Sequence, residues 1–128
     1  MPGASSDLEK RWQSVYEEVL GLPYRAGGVD RKGFDCSGLV QFAYRRFDGR
    51  RLPRTAQDQY REGRSVKRDK TSPGDLLFYR TDGKHPSHVG IYLWDGWFLH
   101  ATPREGVTLT PVNDRYYAER YLGARRLP

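Results

Sequence analysis

Residues 33–47 read GFDCSGLVQFAYRRF, and this segment predicts a helix that begins directly after a glycine-containing loop. Asp35 is the expected N-cap, because a short acidic side chain accepts hydrogen bonds from the unpaired amides of a first helical turn. From Cys36 to about residue 47 the apolar residues recur at helical spacing and predict one buried face: Leu39, Val40, Ala43 and Phe47. The only cysteine of the chain is therefore expected in the first turn of an amphipathic helix.

Two further helices are predicted, one on each side of this segment. Ser6 and Glu9 have the S-x-x-E form of a capping box, and Gly21 ends the apolar helical pattern that follows them. A shorter helix is expected over residues 56–60, with Thr55 as its N-cap. All the predicted helices thus lie in the first half of the chain.

After residues 72–74, which read SPG, the pattern changes to short segments that are rich in β-branched and aromatic residues and separated by turn residues. These segments predict strands at residues 75–80, 88–94, 97–101 and 107–110. Helices followed by strands indicate an α+β fold, with N-terminal helices packed on a C-terminal antiparallel β-sheet. We expect a single domain over residues 1–128, with a helical half at about 7–63 and a β half at about 74–127.

The hairpin around Asp95 and Gly96 has two possible registers. A two-residue loop would put His88 and His100 on opposite faces of the sheet, because a shift of one residue reverses every side chain of a strand. A three-residue loop with Gly96 in the left-handed conformation pairs Gly90 with His100 and puts both histidines on one face. We predict this second register, because it collects apolar residues on the other face: Val89, Ile91, Leu93, Trp97, Leu99 and Ala101.

The composition excludes several classes of protein. The chain has 128 residues, of which 37% are hydrophobic and 13% aromatic, so it has enough apolar residues to fold around a core. No run approaches the roughly 18 apolar residues of a membrane-spanning helix, and the opening residues MPGASS contain no apolar signal core. A single cysteine cannot form an internal disulfide, so a structural cross-link does not explain why the chain contains Cys36.

The positive charge of the chain is concentrated in one segment. The net charge is +6, and residues 45–70, hereafter the basic strip, contain ten Lys or Arg and four Asp or Glu. No aromatic residues alternate with these charges in a base-stacking pattern, so no nucleic-acid partner is predicted. A solvated face is one interpretation and attachment to an anionic wall polymer is another. Under the second, neutralising four arginines should reduce sedimentation with sacculi: Arg45, Arg46, Arg50 and Arg51.

Cys36, His88 and His100 supply the chemistry of a candidate catalytic site. Taken singly, each is more often structural: a small buried hydrophobe or a hydrogen-bonded histidine. Taken together, the three residues match a nucleophile, a base and an orienting residue. The cysteine lies at a helix start, and the two histidines lie on one face of the sheet with their backbones roughly 7–8 Å apart. Cys36 would attack a carbonyl, His88 would carry the proton to the leaving amine, and His100 would fix the tautomer of His88. His85, in a loop, is expected to be a surface residue.

The helix start also predicts the ionisation state of Cys36. Unpaired amides and the positive end of the helix dipole favour a thiolate, and His88 as an imidazolium would add to this effect. We therefore expect the pKa of Cys36 to lie below the ordinary thiol value. The amide of Cys36 is also a candidate oxyanion donor.

The same three residues admit a different chemistry, because one cysteine and two histidines can form a zinc site with an open position for water. Resistance to chelators combined with sensitivity to thiol alkylation would distinguish a cysteine nucleophile from a metal site. We expect no metal and no other cofactor.

The chain resembles the NlpC-type bacterial cell-wall cysteine peptidases, which have a reduced papain-like fold. The resemblance runs from about Leu22 to Leu127 and rests on a combination of motifs: Pro23-Tyr24, Gly27-Gly28, Phe34-Asp35-Cys36-Ser37-Gly38-Leu39-Val40, Leu52-Pro53-Arg54-Thr55, Pro73-Gly74-Asp75-Leu76, His88-Val89-Gly90-Ile91-Tyr92, Phe98-Leu99-His100-Ala101 and Arg120-Tyr121-Leu122-Gly123-Ala124-Arg125. It implies that Cys36 is the nucleophile, His88 the base and His100 the third polar residue. It further implies that Tyr24, Asp35 and Ser37 line the substrate site.

The resemblance implies hydrolysis of peptidoglycan stem peptides, typically between D-γ-glutamate and a diamino acid, by an enzyme of the cell envelope. Arg25 and Ala26 depart from the family pattern, in which an aromatic residue often precedes the glycine pair, so a different subsite is expected there. Three alternatives stay open at this point. The same thiol chemistry would serve an amidase or an acyltransferase, and the fold alone would serve a non-catalytic wall-binding module.

Overall fold

The computed structural model describes residues 1–128, and its helices begin where the sequence supplies caps. Helix α1 (Asp7–Val19) is capped by Ser6, and helix α2 (Cys36–Asp48) is capped by Asp35. Two shorter helices complete the set: α3 (Ala56–Gln59), capped by Thr55, and α4 (Arg115–Ala118), capped by Asp114. A 3₁₀ turn occupies Arg68–Lys70. None of these helices has the length and apolar character needed to cross a membrane.

Eight strands form two antiparallel sheets. The small sheet pairs β1 (Val29–Asp30) with β2 (Gly33–Phe34). The large sheet has the spatial order β3-β8-β4-β5-β6-β7, with all neighbours antiparallel. Its strands are β3 (Arg64–Val66), β4 (Leu76–Tyr79), β5 (His88–Tyr92), β6 (Trp97–Thr102), β7 (Gly106–Pro111) and β8 (Tyr121–Arg126). The predicted α+β fold with an antiparallel sheet is confirmed.

The predicted register of the β5–β6 hairpin is confirmed. Ile91 pairs with Leu99, and the amide of Leu93 donates to the carbonyl of Trp97 at 2.9 Å. Gly96 adopts a φ of 79°, as the three-residue loop requires. Because residues alternate along each strand, His88 and His100 share one face of the sheet.

The two faces of the large sheet bury different sets of side chains. One face packs against α1 and α2 and forms the main core, in which Val89, Ile91, Leu93, Leu99 and Ala101 are fully buried. The predicted member Trp97 is only partly buried. The other face carries a smaller aromatic cluster around Tyr79 and Phe98, and both histidines belong to this face.

Strands β3 and β8 and helix α4 were not predicted from the sequence. Strand β8 reads YLGARR, and its four small or charged residues give no clear alternation of apolar and polar positions. It becomes a strand by pairing with β4, about 45 residues earlier in the chain, where Ala124 lies opposite Leu77. Its Arg126 is held by two hydrogen bonds to the buried carboxylate of Asp75, at 2.9 and 2.8 Å. These long-range pairings explain why local sequence patterns do not reveal the strand.

Candidate active site

Cys36 lies where the start of α2 meets the start of β5. Its position is fixed by Asp35, whose carboxylate accepts the amide of Gly38 at 2.7 Å and so caps the helix. The thiol is half-buried and donates to the carbonyl of Ser87 at 3.8 Å, while the amide of Val89 is directed at the sulfur. The backbone on both sides of His88 therefore contacts the sulfur atom.

The two buried histidines form a directed hydrogen-bond chain. Nε2 of His88 lies 2.8 Å from Nδ1 of His100, and Nε2 of His100 lies 2.7 Å from the hydroxyl of Thr110. We assign the protons from this network: His100 donates to Thr110, so its Nδ1 accepts from Nε2–H of His88. This tautomer leaves Nδ1 of His88 as a free lone pair, which is the form that a general base requires.

Gly90 lets this pair form. A Cβ atom at residue 90 would lie 2.7 Å from the ring of Phe98 and 3.1 Å from the Cβ of His100. Any larger residue would therefore push His100 away from His88.

Burial favours uncharged forms of all three residues in the resting site. It raises the pKa of the Cys36 thiol, although the amides of Val89, Ser37 and Cys36 oppose this effect. It lowers the pKa of His88 to about 4 and the pKa of His100 to about 2, the latter also through the neighbouring His88. The predicted lowering of the Cys36 pKa is therefore wrong, because desolvation outweighs the effect of the helix terminus.

The pH dependence of alkylation reports whether His88 accepts the thiol proton. We expect iodoacetamide to react with wild-type Cys36 at pH 6–7 at least about tenfold faster than with the His88→Gln variant. In the variant, burial keeps the thiol protonated until the pH exceeds the ordinary thiol value of about 8.5, so its rate should rise only above that pH. Superimposed profiles of the two proteins would exclude His88 as the proton acceptor.

Tyr24, Asp35 and Ser37 lie together around Cys36, joined by a residue that the sequence analysis did not assign to the site. Arg54 donates to both oxygens of Asp35, at 3.1 and 2.7 Å, and to the hydroxyl of Ser37 at 2.9 Å. Tyr24 is close enough to Cys36, Asp35 and Arg54 for their charges to act on its hydroxyl, although burial is the main reason that its pKa is raised. The sequence feature that could have identified Arg54 as a site residue was the motif Leu52-Pro53-Arg54-Thr55.

Tyr117 is a second site residue that sequence analysis missed. Its ring stacks on His88, with centroids 5.5 Å apart at 30°, and meets the ring of His100 edge-on at 4.9 Å. It reaches them from α4, whose first turn is capped by Asp114. No local pattern indicated this helix, so nothing in the sequence pointed to the contact. Tyr117 covers both imidazoles and contributes to their burial.

The zinc interpretation does not fit this geometry. Both ring nitrogens of His100 are occupied by hydrogen bonds to His88 and Thr110, so His100 has no lone pair free to bind a metal. No group of three His, Cys, Asp or Glu side chains is arranged to hold a metal ion. His85 lies outside the site as predicted, exposed and hydrogen-bonded to Asp82.

Comparison with known proteins identifies relatives over almost the whole chain. The model of the NlpC/P60 family matches residues 21–126. The murein DD-endopeptidase MepS/murein LD-carboxypeptidase of Escherichia coli K12 is 40% identical over 121 residues, which cover 94% of this chain and 64% of that protein. The gamma-DL-glutamyl hydrolase of Bacillus subtilis is 38% identical, over 89% of this chain and 29% of its own length.

A solved structure agrees with these sequence matches. An NlpC/P60 family protein from Bacillus cereus superposes with a TM-score of 0.84 at 34% identity, over 99% of this chain and 42% of that one. The chain thus spans less than two thirds of the length of these relatives. On the family match, the sequence identities and the shared fold, the chain belongs to the NlpC/P60 family.

Proposed function

We propose that the chain is a cysteine peptidase that hydrolyses peptidoglycan stem peptides, with Cys36 as nucleophile, His88 as base and His100 as orienting residue. The observation that carries the proposal is the hydrogen-bond chain from His88 through His100 to Thr110, next to a cysteine in the first turn of α2. This arrangement leaves one free imidazole nitrogen for the thiol proton. The names of the relatives supply the substrate class.

The reaction would proceed through a thioester. In acylation, Sγ of Cys36 bonds to the scissile carbonyl carbon while its proton passes to Nδ1 of His88. His88 then gives this proton to the departing amine as the C–N bond breaks. In deacylation, water attacks the thioester carbon, and its proton passes through His88 to the departing sulfur, which restores the thiol.

Burial disfavours the charged forms of Cys36 and His88 in the resting site, so these charges form only during the two steps of the reaction. An imidazolium at His88 forms together with a negative charge on the sulfur or the carbonyl oxygen, and each charge stabilises the other. His100 stabilises the imidazolium by accepting Nε2–H of His88. We expect the amide of Cys36, at the start of the helix, to donate to the oxyanion, a contribution of roughly 10²–10³ in rate.

The substrate side of the site would be formed by Tyr24, Asp35 and Ser37. Asp35 is bound on both oxygens by Arg54, so this ion pair presents a fixed, rigid polar surface next to the nucleophile. We expect it to bind polar backbone or terminal groups of the stem peptide. Arg25 follows Tyr24 directly in the chain, so the subsite difference expected from the sequence falls at this edge of the site.

Two bonds are candidates for cleavage. The sequence resemblance implies the bond between D-γ-glutamate and the diamino acid, and the name of the B. subtilis relative refers to a γ-glutamyl bond. The name of the E. coli relative instead refers to a D,D-endopeptidase, and its 40% identity over 94% of the chain favours the D,D cross-link as second candidate. Either reaction would take place in the cell envelope, where peptidoglycan lies.

Product masses test the proposal. Purified disaccharide-peptide monomers and cross-linked dimers are incubated with the wild type and with Cys36→Ala. Wild-type cleavage inside the peptide supports the proposal, and the fragment masses distinguish the γ-glutamyl bond from the D,D bond. Release of sugar-free peptide would indicate an amidase, and an amine adduct would indicate an acyltransferase. Equal cleavage by both proteins would exclude Cys36, and no cleavage by either would favour a wall-binding module.

A further inference from the structure

The hydrogen-bond chain behind the base contains no negative charge. His88 becomes an imidazolium during the reaction, but its partner His100 and the next residue, Thr110, are both neutral. The carboxylate of Asp35 is bound on both oxygens by Arg54. Only 8% of His88 is exposed to solvent, and burial lowers its pKa without any contribution from a neighbouring charge. The positive charge of the imidazolium therefore has no free, fixed anion of the site beside it.

Aromatic rings, by contrast, surround the two imidazoles. Between ring centroids, Tyr79 lies 6.0 Å from His88 at a tilt of 49°, and Phe98 lies 4.3 Å from His100 at a tilt of 41°. Tyr117 is the one aromatic residue that lies close to both imidazoles, 5.5 Å from His88 and 4.9 Å from His100. Its ring is also the one most nearly parallel to His88, at 30°. The imidazole of His88 therefore stacks on the face of Tyr117.

The face of an aromatic ring attracts a cation. It carries negative electrostatic potential, and a cation within about 6 Å of the ring centroid is stabilised by it, more strongly where water is excluded. His88 is buried and lies within this distance of Tyr117. Protonation of His88 would therefore place a cation where the face of Tyr117 can stabilise it.

The stacked ring also limits how His88 can move. The hydrogen bond to His100 holds Nε2 of His88 at 2.8 Å, but a single hydrogen bond leaves an imidazole free to tilt about the bonded atom. Such a tilt would displace Nδ1, the atom that accepts the thiol proton. A ring stacked on the imidazole restricts this motion, so the hydrogen bond and the stacking together fix the position of Nδ1.

The ring of Tyr117, and not its hydroxyl, makes these contacts. The ring is held edge-on against Tyr79 at 5.4 Å and against Phe98 at 5.7 Å, and the amide of Tyr117 donates to the capping carboxylate of Asp114 at 3.4 Å. The hydroxyl forms no hydrogen bond with another residue, and burial is the main reason that its pKa is raised to about 12. Phenylalanine at residue 117 would therefore keep every contact that the imidazoles make with this side chain.

We infer that Tyr117 is a positioning residue for the base: its ring fixes the plane of His88 and stabilises the imidazolium that forms when His88 takes the thiol proton. Tyr117 thus supplies part of the stabilisation that a carboxylate supplies in a Ser-His-Asp triad. The inference rests on the proposed function through the roles of Cys36 and His88, and it holds whichever bond is cleaved.

The test measures the rate at which iodoacetamide alkylates Cys36 at pH 6–7, so it needs no peptidoglycan substrate. Tyr117→Leu keeps an apolar side chain but removes the aromatic face, and it should lower the rate about 3- to 30-fold. The conservative variant Tyr117→Phe should retain at least about half of the wild-type rate. Thermal midpoints show whether each variant folds, and Tyr117→Met provides a second aliphatic replacement if Tyr117→Leu does not.

A double-mutant cycle shows whether Tyr117 acts through His88. In the His88→Gln background, Tyr117→Leu should change the alkylation rate by less than about twofold, because the imidazole on which Tyr117 acts is absent. The matched control is Tyr116→Leu, the same substitution one residue earlier in α4. Tyr116 is 47% exposed and its ring lies under the guanidinium of Arg120, so this variant should react like the wild type.

Three results would overturn the inference: a Tyr117→Leu variant that reacts like the wild type, equal slowing in the presence and absence of His88, or equal slowing by Tyr117→Phe and Tyr117→Leu. Equal slowing in both backgrounds would indicate a structural role, and loss of rate with phenylalanine would assign the effect to the hydroxyl. Failure of the proposed function appears separately, because His88→Gln would then itself react like the wild type.

Discussion

Replacing Cys36 by serine should lower kcat/KM for stem-peptide cleavage by at least about 10³-fold. The serine hydroxyl occupies the same position at the start of α2, but it is far harder to ionise than a thiol. His88 does not offset this difference, because the proton that it must accept comes from a hydroxyl, which is much less acidic than a thiol. Initial rates on a purified muropeptide, measured for the wild type, Cys36→Ser and Cys36→Ala, provide the comparison.

The control for this prediction is a measurement showing that both variants still fold. Cys36 is half-buried and its thiol makes one long hydrogen bond, to the carbonyl of Ser87, so both variants should keep the wild-type circular dichroism spectrum and thermal midpoint. A serine variant that retains more than a tenth of the wild-type rate would contradict the role of Cys36 as nucleophile. If a variant lost activity because it unfolded, the same spectra would show the loss of structure.

Replacing His100 by alanine should lower kcat by about 10²–10⁴-fold with a smaller change in KM. His100 is fully buried, and its removal leaves Nε2 of His88 and the hydroxyl of Thr110 without their partner. His88 is then free to adopt the tautomer with Nδ1 protonated, in which it cannot accept the thiol proton. Steady-state kinetics across pH 5–9 measure the effect.

Three further variants distinguish a positioning role of His100 from a contribution to stability alone. His100→Asn restores a side-chain oxygen that can accept Nε2–H of His88 and should recover part of kcat. Thr110→Val removes only the partner of His100 and should cost less than His100→Ala. If His100→Phe, which fills the space without a hydrogen bond, matched the wild type in kcat, the orienting role would be wrong.

Local patterns were sufficient to predict the elements that carry the candidate site. The Asp35 cap and the apolar spacing after Cys36 define α2, which the structure extends by one residue, to Asp48. The hairpin register followed from the single requirement that apolar residues share a face. In this register Nε2 of His88 lies 2.8 Å from Nδ1 of His100. Both predictions depend on residues that are close together in the chain.

The features that could not be predicted depend on distant parts of the chain. Strand β8 needs its pairing with β4, and Tyr117 reaches the histidines from a four-residue helix after β7. Arg54 contacts Asp35 across a loop whose path is set by tertiary packing. The direction of the Cys36 pKa was wrong for the same reason, since burial by β5 is not visible in the residues beside the cysteine.

Trapping the acyl-enzyme tests whether Cys36 forms a covalent bond to the substrate. A stem-peptide acyl group is supplied as an activated ester, so that acylation is fast and deacylation limits turnover. The reaction is then quenched in acid within milliseconds to seconds. We expect the intact protein to gain the mass of the acyl group, with the modification on the proteolytic fragment that contains Cys36, and Cys36→Ala to gain none. Steady product release with no adduct at any time, or an adduct on another residue, would exclude Cys36 as the nucleophile.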